Sequence, residues 1–249
     1  MWARSALRTR AALGVSASMI GVLLCSIVHA EPAPRGKKAK PTASQAAPTQ
    51  PSTTPTAPAA DGASPDLSSV LSKLAKIEAL QAHFVEEKRM ALLAQPMRSQ
   101  GTLFYAKPRL LARHTEQPRK SSLLLRDETL SFGDAKHSES IALSAQPSLR
   151  VLVDTFVSVL AGDLAALERV ATLSIEPLPN QGFRIRVTPK DDKVKRLVRA
   201  MSFEGQGALL SRMELLDANG DTTVTTFRDV KLRAPFSATE RTRLFRIGG

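Results

Sequence analysis

The sequence predicts a mainly β protein with helices (α+β): a curved, incompletely closed antiparallel β-barrel capped by helices. From residue 98 onward, apolar and polar residues mostly alternate, which is the period of a half-buried strand. The apolar runs are short and are separated by turn signals such as Asn219-Gly220. They amount to about ten or eleven strands, and open sheets of that size tend to curl. Only residues 147–170 break this pattern, with a helical period.

Residues 1–30 have the layout of a cleaved export signal. Three arginines precede an apolar stretch at 11–28, and Val28-His29-Ala30 forms a small-residue cleavage site. We therefore expect a signal peptide and a periplasmic protein, with an uncleaved membrane anchor as the alternative. Lipidation at Cys25 is disfavoured, because bacterial lipidation motifs place a small residue where Leu24 stands. Cleavage would leave a mature chain without cysteine.

Residues 31–65 are predicted to be a disordered linker rich in Pro, Ala and Thr. Eight of the sixteen prolines lie here. A segment of this composition buries too little apolar surface to offset the conformational entropy that folding would cost. The linker either serves as a plain spacer or tethers the domain across a cell-wall layer. Residues 66–249 then form one globular domain.

The predicted domain is basic. Without the first 65 residues the formal net charge falls from +12 to +7. Nucleic acid is not an expected partner, since aromatic stacking platforms are absent and the compartment is wrong. Attraction to anionic lipid headgroups or to an acidic protein surface fits the charge better.

The domain begins with a helix and a strand. Asp66 is placed to cap a helix whose apolar positions share one face. Those positions are Leu67, Val70, Leu71, Leu74 and Ile77. Leu80, Ala82 and Phe84 then alternate as in a strand, although the composition there also tolerates a helix.

A meander of short strands follows, because none of the next runs contains an internal proline. These runs are 98–106, 109–115, 120–127, 128–133 and 137–145. A second set follows the helical insert, at 172–177, 182–189, 197–205, 209–217 and 222–233.

The insert at 147–170 predicts two helices. Its apolar residues form one wide stripe: Leu149, Leu152, Val153, Phe156, Val157, Leu160, Leu164 and Leu167. Gly162 ends the first helix and Asp163 caps the second. Periodicity alone does not distinguish a movable lid from a plain core helix, so both interpretations stay open.

Residues 99–132 carry a resemblance to a known family. Gly101 opens an alternating strand, Lys107-Pro108 turns the first hairpin, and Gln117-Pro118 turns the second. In this order the chain resembles the LolA-type outer-membrane lipoprotein carriers. The similarity covers most of residues 66–236 and includes the final hairpin at 215–236. Lys107 stands where the well-studied carriers have an arginine implicated in lid closure and cargo release, which suggests a divergent LolA-like member.

The resemblance implies a function. It predicts a periplasmic carrier that holds the acyl chains of lipoproteins in a hydrophobic cavity and ferries them from the inner to the outer membrane. Its expected partners are acylated lipoprotein or other lipid cargo, an inner-membrane releasing transporter and an outer-membrane acceptor, and the protein is expected to be a monomer. The predicted lipid-binding and lid residues are Leu103, Phe104, Lys107, Pro108, Leu111, Leu149, Leu152, Val153, Phe156 and Leu160. Alternatives are a carrier of a glycolipid or pigment-linked lipid, and a lipid-sensing regulatory module.

No residue pattern indicates catalysis. The serines lack a Gly-x-Ser-x-Gly motif, and there is no phosphate-binding loop or pair of catalytic carboxylates. His83, His114 and His137 lie in separate strands without the spacing of metal ligands. We therefore expect neither an enzyme nor a metal or other cofactor.

Overall fold

The computed structural model describes residues 65–248. The predicted signal peptide and all of the predicted linker except Pro65 lie outside the described residues. No helix within 65–248 combines the length and apolar character needed to cross a membrane.

The described chain is built on one antiparallel sheet of eleven strands, which confirms the predicted fold class. The strands are β1 Ala79–Arg89, β2 Met97–Ala106, β3 Leu110–Gln117, β4 Ser121–Arg126, β5 Thr129–Gly133, β6 Ser138–Ala142, β7 Ala171–Leu178, β8 Gly182–Pro189, β9 Val198–Gln206, β10 Leu209–Asp217 and β11 Thr222–Arg233. Their order is β6-β5-β4-β3-β2-β1-β11-β10-β9-β8-β7. β6 and β7 are its two edges and do not pair with each other, so the barrel stays open.

Within residues 65–248, five α-helices complete the fold: α1 Leu67–Leu74, α2 Pro147–Ala161, α3 Leu164–Val170, α4 Asp192–Lys195 and α5 Ala238–Leu244. The expected caps are present. The Asp66 carboxylate accepts from the Ser69 amide at 2.9 Å, and Asp163 accepts from the Ala166 amide at 2.9 Å. Gly162 ends α2 at φ +68°, a left-handed conformation that favours glycine.

The strand alternation divides the sheet into two faces. The inner face carries Leu80, Ala82 and Phe84, and packs with the helices α1 and α2 in the main core. The opposite, outer face carries a smaller apolar cluster around Phe104, Phe236 and Phe245.

The predicted strands differ from the observed ones mainly at their ends. The run predicted at 137–145 pairs as a strand only to Ala142, and Leu143–Ala145 form a short 3₁₀ helix. α4 and α5 were not predicted. Both are short, and α5 begins with a capping box between Ser237 and Glu240.

Candidate functional site

An apolar crevice lies where the inner face meets the helices. Every residue that lines it is apolar: Leu74, Ile77, Leu80, Ala82, Leu103, Leu160, Ala208, Leu210, Phe227, Val230 and Leu232. They come from α1 and its connection to β1, from the last turn of α2, from strands on both sides of the sheet's centre and from the β9–β10 turn. The crevice therefore brings together residues that are far apart in sequence.

The crevice is narrow. Its volume is about 20 Å³, which is room for about one water molecule, whereas pockets for small ligands measure about 300–1,000 Å³. An apolar ligand would fit only if α1 and α2 moved away from the sheet.

The predicted lipid-binding residues are only partly brought together here. Leu103 and Leu160 line the crevice, and Phe156 packs on Phe203 of β9 with ring centroids 6.2 Å apart. Four others belong to the same main core without lining the crevice: Leu111, Leu149, Leu152 and Val153.

Phe104 is not brought to the crevice. It lies on the outer face, in edge-on contact with Phe236 and Phe245 at centroid distances of 6.2 and 6.3 Å. Its neighbours Leu103 and Tyr105 belong to the main core, as the strand period requires.

Lys107 fastens the β2–β3 turn to the end of α1. Its amine donates a hydrogen bond to the carbonyl oxygen of Ala75, the C-cap residue of α1, and lies 3.6 Å from the Glu78 carboxylate. A cation at this end of a helix is favoured by the helix dipole. Pro108 follows in the same turn. Lys107, predicted as a lipid-binding or lid residue, thus contacts the end of α1.

α1 in turn meets the insert. A Cβ added to Gly162, at the end of α2, would lie 2.1 Å from the carbonyl oxygen of Leu71 and 2.5 Å from the amide nitrogen of Ala75. Only glycine permits this approach of two backbones. The ends of α1 and α2 and the Lys107 turn therefore form one connected group beside the crevice.

In addition to the apolar crevice, the inner face carries buried charged side chains. Arg113 donates to Glu86 at 2.9 Å, and the other carboxylate oxygen of Glu86 accepts from the Thr225 hydroxyl at 2.9 Å. The Arg113 guanidinium also lies 4.1 Å from the centre of the Phe84 ring. Sequence reasoning missed this pair. The signal was a charged residue, Glu86, continuing the inward alternation of Ala82 and Phe84.

A second buried pair lies near the end of the same strand. Lys88 is 3.6 Å from Asp217. Burial raises the pKa of the Asp217 carboxyl, the charge of Lys88 opposes that rise, and the charge of Asp221 adds to it. The Thr223 hydroxyl beside them has no hydrogen-bond partner among residues 65–248.

Tyr105 is a buried hydroxyl in the main core. It is fully buried, and its oxygen has no hydrogen-bond partner in the described part of the chain. Burial, with a smaller contribution from the charge of Glu78, raises the pKa of Tyr105 to about 12.

A groove of about 420 Å³ lies on the outer face, between the sheet and the segment that contains α5. His114 spans it, donating from Nε2 to the Leu244 carbonyl at 2.7 Å while Nδ1 lies 2.9 Å from the Ser122 hydroxyl. Ser122 also accepts from the Gly248 amide at 3.2 Å. These bonds hold the C-terminal segment on the outer face.

The described residues offer no evident metal site. Within 65–248, no three residues of the types His, Cys, Asp and Glu are grouped so that they could hold an ion. His83, His114 and His137 accordingly take part in no such group.

Comparison with known proteins identifies a family. Residues 59–239 match the family model described as outer membrane lipoprotein carrier protein LolA-like. No curated protein matches the sequence.

Several solved structures are similar at low identity. A LolA superfamily protein from Nitrosomonas europaea aligns with TM-score 0.40 and 14% identity, over 72% of this chain and 96% of that chain. The complex of MucA and MucB from Pseudomonas aeruginosa aligns with TM-score 0.44 and 14% identity, over 71% of this chain and 60% of that chain. The lipoprotein LppX from Mycobacterium tuberculosis aligns with TM-score 0.38 and 13% identity, over 68% of this chain and 94% of that chain.

Proposed function

The chain belongs to the LolA-like outer membrane lipoprotein carrier family, and from this premise we propose that it is a periplasmic carrier of acylated lipoproteins. It takes acyl chains between the inner face of the sheet and the helices α1 and α2. An inner-membrane transporter releases the cargo to it, and an outer-membrane acceptor receives it. The observation that carries the proposal is the crevice lined only by apolar residues, between helices and an open sheet.

The mechanism is non-covalent. Each methylene removed from water contributes about 0.8 kcal/mol to binding. In the closed protein the helices already cover the inner face, so an acyl chain replaces contacts of Leu74 and Leu160 with the sheet. The net affinity is the difference between the two sets of contacts. That difference keeps binding reversible, as a carrier requires.

Closure involves the group of contacts beside the crevice. Lys107 holds the end of α1, and α1 meets α2 at Gly162. A cargo that separates the helices from the sheet must loosen these contacts. Their re-formation favours the closed, empty protein and therefore favours release.

The test is binding of a fluorescent fatty-acid probe, together with mass spectrometry of lipid that co-purifies with the protein. Leu160→Asp places a charge in the crevice and should abolish probe binding, because a buried charge disfavours an apolar ligand. Leu209→Asp is the matched control, because Leu209 is exposed and lies next to two crevice residues, Ala208 and Leu210.

A second variant keeps the test valid if Leu160→Asp unfolds the protein. Ala208→Phe fills the crevice with carbon and should weaken binding while circular dichroism shows an intact sheet. Co-purified lipoprotein supports the proposal, and co-purified free glycolipid would replace it with a different cargo. Unchanged probe binding in both folded crevice variants would refute the site.

A further inference from the structure

The β1–β2 hairpin ends in an exposed apolar tip. Leu92 is 93% exposed and Leu93 is 46% exposed, and they lie in the run Met90–Ala94. Leu92 is the most exposed of the large apolar side chains in the described part of the chain. An isolated exposed leucine needs no explanation, but two at the tip of a hairpin form a protruding apolar point.

The backbone of the tip is held in place. The Ala91 amide donates to the Asp221 carboxylate at 3.1 Å, and the Leu93 amide donates to the Met90 carbonyl at 3.0 Å. Asp221 is fixed in turn by the side-chain amide of Asn219 at 2.9 Å. The leucines are therefore presented to solvent by a hairpin that is bonded to the neighbouring β10–β11 turn.

The tip belongs to one end of the sheet, which we call the tip end. Strand pairing places five connections at this end: 90–96, 118–120, 134–137, 190–197 and 218–221. Gln117 pairs with Gln100 beside the tip, and the Ala218 amide donates to the Leu197 carbonyl. The turns around Lys120 and around α4 thus flank the tip on both sides.

The two ends of the sheet differ in charge. The five connections at the tip end contain seven basic and four acidic residues, whereas those at the opposite end contain three of each. The opposite connections are 75–78, 107–109, 127–128, 179–181 and 207–208. At the tip end, Lys120, Lys193 and Arg196 are exposed. Arg89 and Arg98 add two more cations at the base of the tip, with side chains 73% and 74% exposed, and both contact Glu87.

We propose that the tip end docks on an anionic membrane surface, with Leu92 and Leu93 inserted among the lipids and the surrounding lysines and arginines at the headgroups. Aliphatic side chains surrounded by Lys and Arg are the composition of interfacial membrane-binding elements. Basic residues close to an anionic bilayer are attracted to it within about 10 Å.

A protein partner is the less favoured occupant. Protein interfaces are enriched in Tyr, Trp and Phe, but the five connections at the tip end contain no aromatic residue. A lipid surface needs no such aromatic residue.

The first experiment measures the contact of the tip with a membrane directly, in the intact chain. An environment-sensitive fluorophore is attached at Leu92→Cys in a Cys25→Ser background, and vesicles of phosphatidylcholine with or without about 30% phosphatidylglycerol are added. We expect a blue shift with the anionic vesicles. The matched control is Leu209→Cys. Leu209 is 42% exposed and lies at the opposite end of the sheet, so a fluorophore attached there should show no blue shift. Equal responses at both positions, or none at position 92, would overturn the proposal.

The second experiment separates charge from apolar insertion. Lys193→Gln with Arg196→Gln should weaken partitioning to the anionic vesicles by about thirtyfold. Lys73→Gln with Lys76→Gln removes the same charge from the end of α1 and the connection that follows it, and should leave partitioning unchanged. Leu92→Ser with Leu93→Ser should abolish the insertion that survives in high salt. The N-terminal residues are common to all variants, so differences report on the tip end. If the two charge pairs behave alike, the attraction is a property of the whole chain and the proposed surface is wrong.

Discussion

Gly162 approaches the backbone of Ala75 so closely that a Cβ on the glycine would lie 2.5 Å from the Ala75 nitrogen. This contact joins the end of α2 to the end of α1. Gly162 also has φ +68°, so an alanine there would be strained even without a neighbour.

Gly162→Ala should therefore destabilise the protein in two ways. The positive φ costs about 1 kcal/mol, and the forced separation of the two helix ends adds about 1–3 kcal/mol. Gly207→Ala is the matched control, because Gly207 has φ +62° and nothing within 4 Å of an added Cβ. Urea denaturation should show a clearly larger loss for Gly162→Ala. Equal losses would mean that the contact between α1 and α2 contributes nothing.

Much of this helical group could be predicted from sequence. Gly162 and Asp163 mark a helix end and a helix start by residue type alone, and both act as predicted. The partner of the glycine could not be predicted, because Ala75 lies 87 residues earlier and nothing local indicates the approach. For the same reason the bond from Lys107 to the Ala75 carbonyl, which joins residues 32 positions apart, has no local signal in the sequence.

The period of the strands predicted the sheet but not what covers its faces. The alternation places Leu103 and Phe104 on opposite faces, but it does not reveal the α5 segment that packs on Phe104 on the outer face. Glu86 continues the inward alternation of Ala82 and Phe84, but its partner Arg113 lies two strands away and no local pattern predicts the pair. Long-range partners are what single-sequence patterns lack.

The buried pair of Glu86 and Arg113 predicts an asymmetric response to mutation. Arg113→Met leaves the Glu86 carboxylate buried without its cation, which should lower the free energy of unfolding by about 3–5 kcal/mol. Adding Glu86→Leu removes the stranded charge and should restore part of that loss. Thermal and urea denaturation measure both.

The control for this pair is Arg98→Met. Arg98 contacts Glu87 at 3.2 Å with a side chain that is 74% exposed, and such pairs are worth about 0–1 kcal/mol. If Arg113→Met is as mild as Arg98→Met, the buried pair does not hold the inner face together.

Tyr105 should make stability fall in alkali. Its pKa is raised from 10.0 to about 12 in the folded protein. As pH rises through this window the unfolded chain loses the proton while the folded chain keeps it, so unfolding becomes more favourable. The loss should be roughly 1–3 kcal/mol, complete near pH 12 and absent below pH 10.

Tyr105 is the only tyrosine, so its ionisation can be followed by tyrosinate absorbance. Tyr105→Phe isolates the contribution of the tyrosine. This variant should lose less stability between pH 10 and 12 than the parent. An ordinary titration near pH 10 in the folded protein would contradict the burial of this hydroxyl.

Lys107 should control the release of cargo. Its bond to Ala75 stabilises the closed, empty protein, so Lys107→Leu should lower the stability of that state relative to the cargo-bound one. Cargo would then be held more tightly and transferred to the acceptor more slowly. A hydrogen bond from a charged group is worth about 1.5–3 kcal/mol when buried. Lys107 is partly exposed, so we expect about a fivefold to tenfold slower transfer.

Lys107→Arg should retain transfer, because a guanidinium can donate to the same carbonyl and keeps the charge near Glu78. Lys76→Leu is the control, an exposed lysine at the same end of α1 whose loss should not alter transfer. The measurement is the rate at which acylated cargo passes from donor membranes to acceptor, with circular dichroism as the check on folding. If Lys107→Leu transfers at the rate of the parent, Lys107 is only a structural contact of the turn, and closure must depend on the packing of α1 and α2 alone.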